Sequence, residues 1–474
     1  MEGSPLLAGA AQRIITPRVG LHLVGWSQRA AGDSIARSVH DDLFVKALVL
    51  ERDGHSGALV AADLIGVDAI TAQRIRAGIA DRTDLEPASI LICATHTHSG
   101  PALCPVAAAV NHAELPTVHA DGTLAGSYGP GSAPVVSNAY YVGQADPRWK
   151  DHFVAQAVEA TVDAWQSRRA AEVAFGEAPV EGLASSRRVL LADGTWADPR
   201  RVEASAAPVV SRTEIDPLAR VLLVREASTK APLAAVVNYG SHPWVFSASA
   251  FSAEIAGAAA KSVAAEWRAP GADAPVVLHT SGPAGDVTLI WNIDVANVWS
   301  TRPGESPAES LARREKAFDQ ELQRLSRRLV AGVQAAIAGV EHWDAQPALR
   351  TGRREFAIPL KPGYQRPAEV ALADWQMAAP EGQHLTEAHL LQVGDGAIVA
   401  VPGELFVSLG QRLRALSPYR HLLIATLASD YGPFSYLAET ADYELGGYEL
   451  VLTPAAPEAG GVLVREAAML FSAG

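Results

Sequence analysis

The sequence predicts an α/β protein, a mixed-sheet sandwich with flanking helices and a metal site at its strand ends. Three observations support this. Short apolar runs rich in Val, Ile and Leu recur along the chain, amphipathic helical patterns alternate with them, and polar residues gather where the runs end. Such runs are typical of strands buried on both faces. Their alternation with helices places sites at strand ends.

In chain order the runs are FVKALVL (44–50), GALVAADLIGV (57–67), ASILICATHTHSG (88–100), PLAAVVNYGSHP (232–243), PVVLHTSGPAGD (275–286), GAIVAVPGE (396–404) and LLIATLASDYG (422–432). Helices are expected over 68–83, 149–169, 251–267 and 308–340, each with apolar residues at 3.6-residue spacing. The heavily charged side of the last reads as a solvated outer face. Two stretches break the pattern. Residues 102–146 are rich in Ala, Gly, Pro and Ser, and a loop this long is a candidate lid or a solvated insertion. Residues 186–216 read as a hairpin around Asp193-Gly194 followed by a Pro-containing connector. No internal repeat is legible, and residues 1–474 are expected to form a single domain with the loop inserted at about 102–146.

Composition narrows the classes. Of 474 residues 49% are hydrophobic and 19% charged, enough for a packed core and too apolar for wholesale disorder. A net charge of −13 argues against nucleic acid or an anionic membrane surface as the main partner. Two cysteines exclude a disulfide-built scaffold; Cys93 reads as a small apolar strand residue and Cys104 as an incidental thiol. The first residues lack a basic segment followed by a long apolar one, so no signal peptide is expected. The apolar runs are strand-length, so no membrane span is expected either. The expectation is a cytoplasmic protein.

His96 and His98 stand two apart after a buried strand and project from one face of an extended chain. They can share a metal, divide into a ligand and an acid/base group, or cap the strand. Other runs end at His242, fixed by Pro243, at Glu404, and near Tyr436. Zinc accepts imidazole nitrogen and carboxylate oxygen, and a catalytic site leaves one position for water. Each residue also has a plain structural reading: a hydrogen-bonded histidine, a carboxylate at the N-terminus of ELFVSLGQRLRAL, a packing aromatic. Their shared placement at strand ends favours a site, since a core does not require it.

THTHSGP, NYGSHPWVF, GPAGDVT, VPGELFVSLGQRLR and SDYGPFSYLAETADYELGGYE, in that order, resemble the sequence blocks of the neutral/alkaline (non-lysosomal) ceramidase family. The resemblance runs from about residue 10 to 455, and AAQRIITPRVGLHLVGW is similar to that family's opening. It implies a zinc amidase on an α/β core, with one Zn2+ per chain held by His96, His242, Glu404 and Tyr436. The tyrosine follows from spacing to a second functional tyrosine, Tyr448, twelve residues on; Tyr431 and Tyr443 fit less well and are expected to be packing residues. The resemblance makes His98 a non-ligand that hydrogen-bonds the substrate carbonyl or developing oxyanion, helped by Tyr448 and by Arg187, with Arg188 in reserve. Zinc-activated water then attacks the amide, the pKa of that water falling from 15.7 towards roughly 7.

Two departures qualify the resemblance. The family's GDVSPN block reads GDVTLI, placing Thr288 at a serine position; with no evident base beside it, Thr288 and Asp286 are expected to be turn or supporting elements. The resemblance stops short of the family's C-terminal β-sandwich, so the expectation is a small-molecule or lipid-like amide substrate in place of ceramide. Rival readings are a TIM-barrel metal hydrolase, disfavoured because several runs precede His96 and the later ligands are Glu and Tyr, an amide-forming or other hydrolytic enzyme on a non-lipid metabolite, and a non-catalytic family member that only binds ligand. Trp26, Trp244 and Trp291 adjoin the blocks and can line an apolar pocket or simply pack.

Overall fold

The computed structural model describes residues 4–25, 35–103, 117–118, 124–125, 145–192, 194, 196–197, 208–245, 249–292, 298, 302–364, 366, 372–431 and 435–472. Most of the expected 102–146 insertion, Asp193, Trp26 and the Tyr448 side chain lie outside the described residues.

One order of elements occurs three times: three antiparallel strands, a helix, a fourth strand parallel to the third, and a closing helix. In the first unit β1 (Leu7–Ile14), β2 (Phe44–Arg52) and β3 (His55–Ala62) are antiparallel, α1 (Ala69–Ala80) crosses over, β4 (Ile90–Ala94) runs parallel to β3, and α2 (Pro147–Gln166) closes. The second unit begins with β5 (Arg169–Pro179). After an excursion carrying the short strand β6 (Ala184–Ser186), it continues with β7 (Leu218–Glu226), β8 (Pro232–Tyr239) and α3 (Glu254–Glu266). Then come β9 (Val276–Ser281), parallel to β8, the short β10 (Val287–Leu289) paired with β6, and the closing helix α4 (Pro307–Ala338). The third unit has β11 (Leu349–Pro359), β12 (Gln383–Val393), β13 (Gly396–Ala400), the short β14 (Glu404–Leu405), α5 (Val407–Leu416) and β15 (His421–Ala425). It continues through β16 (Tyr436–Leu437), α6 (Thr440–Leu445) and α7 (Tyr448–Leu452) to the closing helix α8 (Ala459–Ser472).

The first two units join through β1 and β5 into a mixed eight-stranded sheet, β9-β8-β7-β5-β1-β2-β3-β4, and the third forms the four-stranded sheet β11-β12-β13-β15. The expected mixed-sheet architecture with flanking helices is therefore observed. The structure adds a repeat that the sequence does not display: the units share topology without legible sequence periodicity. One packing detail repeats as well. The first strand of each unit carries a glycine, Gly9, Gly176 or Gly352, against that unit's closing helix. At Gly9 and Gly176 an added Cβ would overlap the helix carbonyls of Ala164 and Ala336. The helix can lie that close only because no side chain intervenes.

Alternation along the strands divides the core. Leu48, Leu59, Leu91, Leu222, Leu278, Ile398 and Leu423 face inward and form one cluster shared by all three units. Outward-facing residues pack under each unit's own helices, with Val45, Val60 and Ile92 beneath α1 and α2, for example. Each such large apolar side chain contributes about 1.5–3 kcal/mol on burial. Helix starts follow the sequence: Asp68 caps α1, Asp146 caps α2 ahead of Pro147, and Ser306 with Glu309 forms a capping box on α4. Helix α4 buries Phe318, Leu322, Leu325, Leu329 and Val333 along one stripe and turns its charges outward, as expected.

Candidate metal centre

The inner core determines where the strand ends meet. Ala61, Asn238 and Ala400 are third-strand residues paired with Cys93, Thr280 and Ala425 of the neighbouring fourth strand. Four residues further on stand Ile65, His242 and Glu404. The fourth-strand ends are tied directly: Ser281 Oγ donates to the Thr95 carbonyl at 3.0 Å, and the Thr426 amide donates to the Ser281 carbonyl at 2.9 Å. Left-handed backbone clusters here, with φ of 67° at His96, 59° at Leu427 and Ser429, and 50° at Glu254. Non-glycine residues held this way cost on the order of 1–3 kcal/mol each, and such strain gathers at functional sites.

The histidines are oriented by backbone carbonyls. Nδ1 lies 2.8 Å from the Ile65 carbonyl in His96, 2.8 Å from Gly25 in His98, and 2.8 Å from Ala284 in His242. A carbonyl only accepts, so each neutral ring carries its proton on Nδ1 and presents an Nε2 lone pair. These three residues form a potential metal-binding group, with ring nitrogens within 4.8 Å of one another. Glu404 adds a fourth donor, its Oε2 lying 3.0 Å from His242 Nε2 and 3.4 Å from His96 Nε2. Both His96 Nε2 and Glu404 Oε2 are buried, and among the described residues neither has a hydrogen-bond partner.

This arrangement fits a small divalent cation. Ligand bonds of about 2.0–2.1 Å at tetrahedral angles place donor atoms about 3.3 Å apart, close to the spacings here. His96, His242 and Glu404 line a cavity of about 10 Å³ together with Ser241, Ser281, Ala284, Gly285, Thr426 and Leu427. Protonation states suit it as well. Burial pushes His242 down to about 4 and His98 well below the usual imidazole range. Burial alone would raise Glu404, but flanking His96 and His242 hold it well below the usual carboxylate range. The Glu404 carboxylate is thus ionised and the His98 and His242 imidazoles neutral at pH 7, the states in which such groups ligate a metal.

Tyr436 is the register partner of Glu404 in the β14–β16 pair, and its ring stacks 6.3 Å from that of His242. Arg187 lies beside them, its guanidinium 5.2 Å from the Tyr436 ring and Nη1 3.5 Å from His242 Nε2. Burial would lower the Arg187 pKa, but Tyr436, Glu449 and Glu404 outweigh it and raise it further, so the cation is permanent. Glu449 bridges both arginines, at 2.8 Å from Arg187 Nε and 3.2 Å from Arg188 Nη1. Arg188 also donates to the Gly446 carbonyl at 2.9 Å, directed away from the histidines. Of the two candidates, then, Arg187 adjoins the site.

Thr288 lies opposite Ser185 in the β6–β10 ladder and is not among the residues lining the cavity. Asp286 accepts from the Val407 amide at 2.9 Å, capping the start of α5.

The sequence reading missed two residues. Tyr431, expected to be a packing aromatic, donates its hydroxyl to Glu404 Oε1 at 3.0 Å, whereas Tyr443 donates to the Ala455 carbonyl. Glu254, fully buried, accepts from the His98 amide at 2.9 Å, from Thr97 and Ser99 hydroxyls at 3.2 Å, and from the Val245 amide at 3.3 Å. It thereby fastens the His98 turn to the segment after His242. The only sequence signal for Glu254 is an acidic residue opening a helix, which the macrodipole alone would explain. Trp244 stacks on His98 at 6.3 Å and meets Trp291 edge-on at 4.2 Å, while Trp291 packs against the core of the second unit. Cys93 is buried in the inner core, as expected. Among the described residues no helix is long and apolar enough to cross a membrane.

No protein-family model matches the chain, and no curated protein matches it by sequence. Solved structures do. The chain is similar to the crystal structure of neutral ceramidase from Pseudomonas aeruginosa, with a TM-score of 0.68 and 15% identity over 99% of this chain and 74% of that one. It is equally similar to a structure described as ceramidase complexed with C2, with a TM-score of 0.68 and 15% identity over 99% of this chain and 75% of that one. The fold implied by the sequence blocks is thus the fold observed: the chain has a ceramidase-like α/β fold with a histidine cluster at its strand ends.

Proposed function

We propose that this protein is a zinc-dependent hydrolase of linear amide bonds, acting on an N-acyl amine or N-acyl metabolite. The observation that carries the reading is the convergence of the His96 and His242 lone pairs and the Glu404 carboxylate in a cavity large enough for little more than an ion. His96, His242, Glu404 and Tyr436 would hold the metal. A metal bound there would supply an acidified water and polarise the scissile carbonyl.

The protein's own groups do the rest. His98 Nε2 is an acceptor in the resting state, because Nδ1–H is committed to the Gly25 carbonyl. We therefore assign His98 as the group that takes a proton during attack and returns it to the departing amine, a role worth typically 10²–10⁴-fold. Its oxyanion-donor role belongs only to the protonated ring, which burial disfavours. Arg187, fixed by Glu449 and the Gly285 carbonyl, supplies permanent positive charge where negative charge develops on the carbonyl oxygen. Tyr448, on α7, is its proposed neighbour in that task. Trp244 and Trp291 offer an apolar surface for the acyl or amine group. The similarity to ceramidases supports amide chemistry, while the length of the acyl chain is the open variable.

The test is cleavage by purified protein across N-acyl amines from acetyl to long-chain, ceramide included, with chelator and then with zinc restored. Zinc-restorable cleavage is expected. Protein that holds zinc yet cleaves no amide would refute the amidase assignment. Protein that takes up no zinc would refute the metal centre.

A further inference from the structure

Glu404 presents its two carboxylate oxygens to different partners. Oε2 faces the histidine nitrogens, whereas Oε1 accepts the Tyr431 hydroxyl at 3.0 Å. Tyr431 is itself held on several sides. Its amide donates to the Val67 carbonyl at 2.9 Å, and its ring sits edge-on to His96 at 5.9 Å. The preceding residue, Asp430, pairs with buried His384 at 2.8 Å. The ring also lies directly on Gly66, where any Cβ would overlap it. Gly66 does not have a left-handed backbone, so space alone selects glycine there.

From this geometry we infer that Tyr431 is a positioning residue for the metal centre, fixing the Glu404 carboxylate so that a single oxygen is offered to the ion. A terminal carboxylate torsion is broad and nearly two-fold. Without the phenol the group is free to swing or to chelate through both oxygens. Hydrogen-bond partners behind metal ligands set ligand orientation, and their loss typically costs 10–100-fold in metal affinity. Gly66 belongs to the same device, because it gives the ring its place. The inference rests on the proposed metal site and deepens it.

The experiment compares wild type, Tyr431→Phe, Gly66→Ala and the control Tyr443→Phe. Zinc affinity is read by competition with a chromogenic chelator, the cobalt-loaded site by its visible spectrum, and fold integrity by the thermal midpoint of metal-free protein. Y431F is expected to bind zinc about 10–100-fold more weakly, with an altered cobalt spectrum and a nearly unchanged metal-free midpoint. G66A keeps the hydroxyl but displaces the ring, and should also weaken zinc binding, which keeps the test decisive if Y431F does not fold. Y443F should match wild type in affinity. Wild-type affinity and spectrum in Y431F would overturn the inference while leaving the metal centre standing, and so would an equal loss in Y443F. A wild-type protein that takes up no zinc would overturn both readings.

Discussion

Four residues beyond the last inward-facing position of its third strand, the second unit carries His242 and the third carries Glu404, whereas the first carries Ile65. The backbone framework is the same in all three, and the chemistry is not. In the first unit that position contributes only a carbonyl, which orients His96, and the next residue, Gly66, makes room for Tyr431. The proposed ligand from this unit, His96, comes instead from just beyond its fourth strand. A repeated scaffold thus produces an asymmetric centre: two units supply donors from one kind of position, and the first supplies a donor, its orientation and a second histidine. Under the proposed function such asymmetry would suit catalysis, because a ring of three equivalent ligands would leave no side reserved for His98 and substrate.

The largest effects should break the comparison at the ligand positions themselves. His242→Ala and Glu404→Ala are each expected to reduce zinc uptake by more than the 10–100-fold typical of supporting residues, read by metal analysis after dialysis. Ile65→Val, at the matching position, should leave zinc binding unchanged and cost only about 0.5–1.5 kcal/mol in stability. Equal metal loss in Ile65→Val would dissolve the distinction between the units.

His98→Ala sharpens the comparison within the first unit. It should keep zinc and lose about 10²–10⁴-fold in turnover, with the acidic limb of the pH–rate profile removed. Loss of zinc in step with turnover would instead make His98 a third histidine ligand.

Glycines provide a smaller test. Gly66→Ala forces Cβ into the Tyr431 ring and should cost about 1–3 kcal/mol by overpacking, measured by denaturant unfolding. Gly461, in α8 with open space around it, should tolerate alanine and gain up to about 1 kcal/mol of helix propensity. Matching signs for the two would show that the Tyr431 seat is not what constrains Gly66.

The effect most thinly spread over conditions, a slope across several pH units, concerns Asp286, raised by burial from its ordinary 3.8 to about 7. The folded state keeps a proton that the unfolded chain releases, so stability falls as pH rises from about 4 to about 7, by at most about 1.4 kcal/mol per unit. Asp63, raised by burial to about 6, adds to the same slope. Asp286→Asn retains an acceptor for the Val407 amide and should flatten the dependence, read from urea midpoints across that range. An unchanged slope would assign the dependence to Asp63 and other groups.

Much of this protein was written locally in the sequence. Apolar runs at strand length, caps such as Asp68 and Ser306, and the 3.6-residue stripe of α4 depend on neighbouring residues, so the α/β class and most elements were legible. So were the histidines and Glu404 as candidates, because each stands at the end of an apolar run, whereas Tyr436 was singled out by the family resemblance and its spacing to Tyr448. The tertiary structure alone decided what lies between distant segments. The threefold repeat was invisible because topology and inward-facing parity recur while side chains do not. Tyr431 looked like packing because its partner Glu404 is 27 residues away, and Glu254 went unremarked because its partners at 97–99 are reached only through the fold. Glu449 engages both arginines, and the contact of Arg187 with His242 at 3.5 Å is likewise a product of the fold. Local pattern determines which elements form; convergence of strand ends, a property of long-range packing, determines which side chains meet.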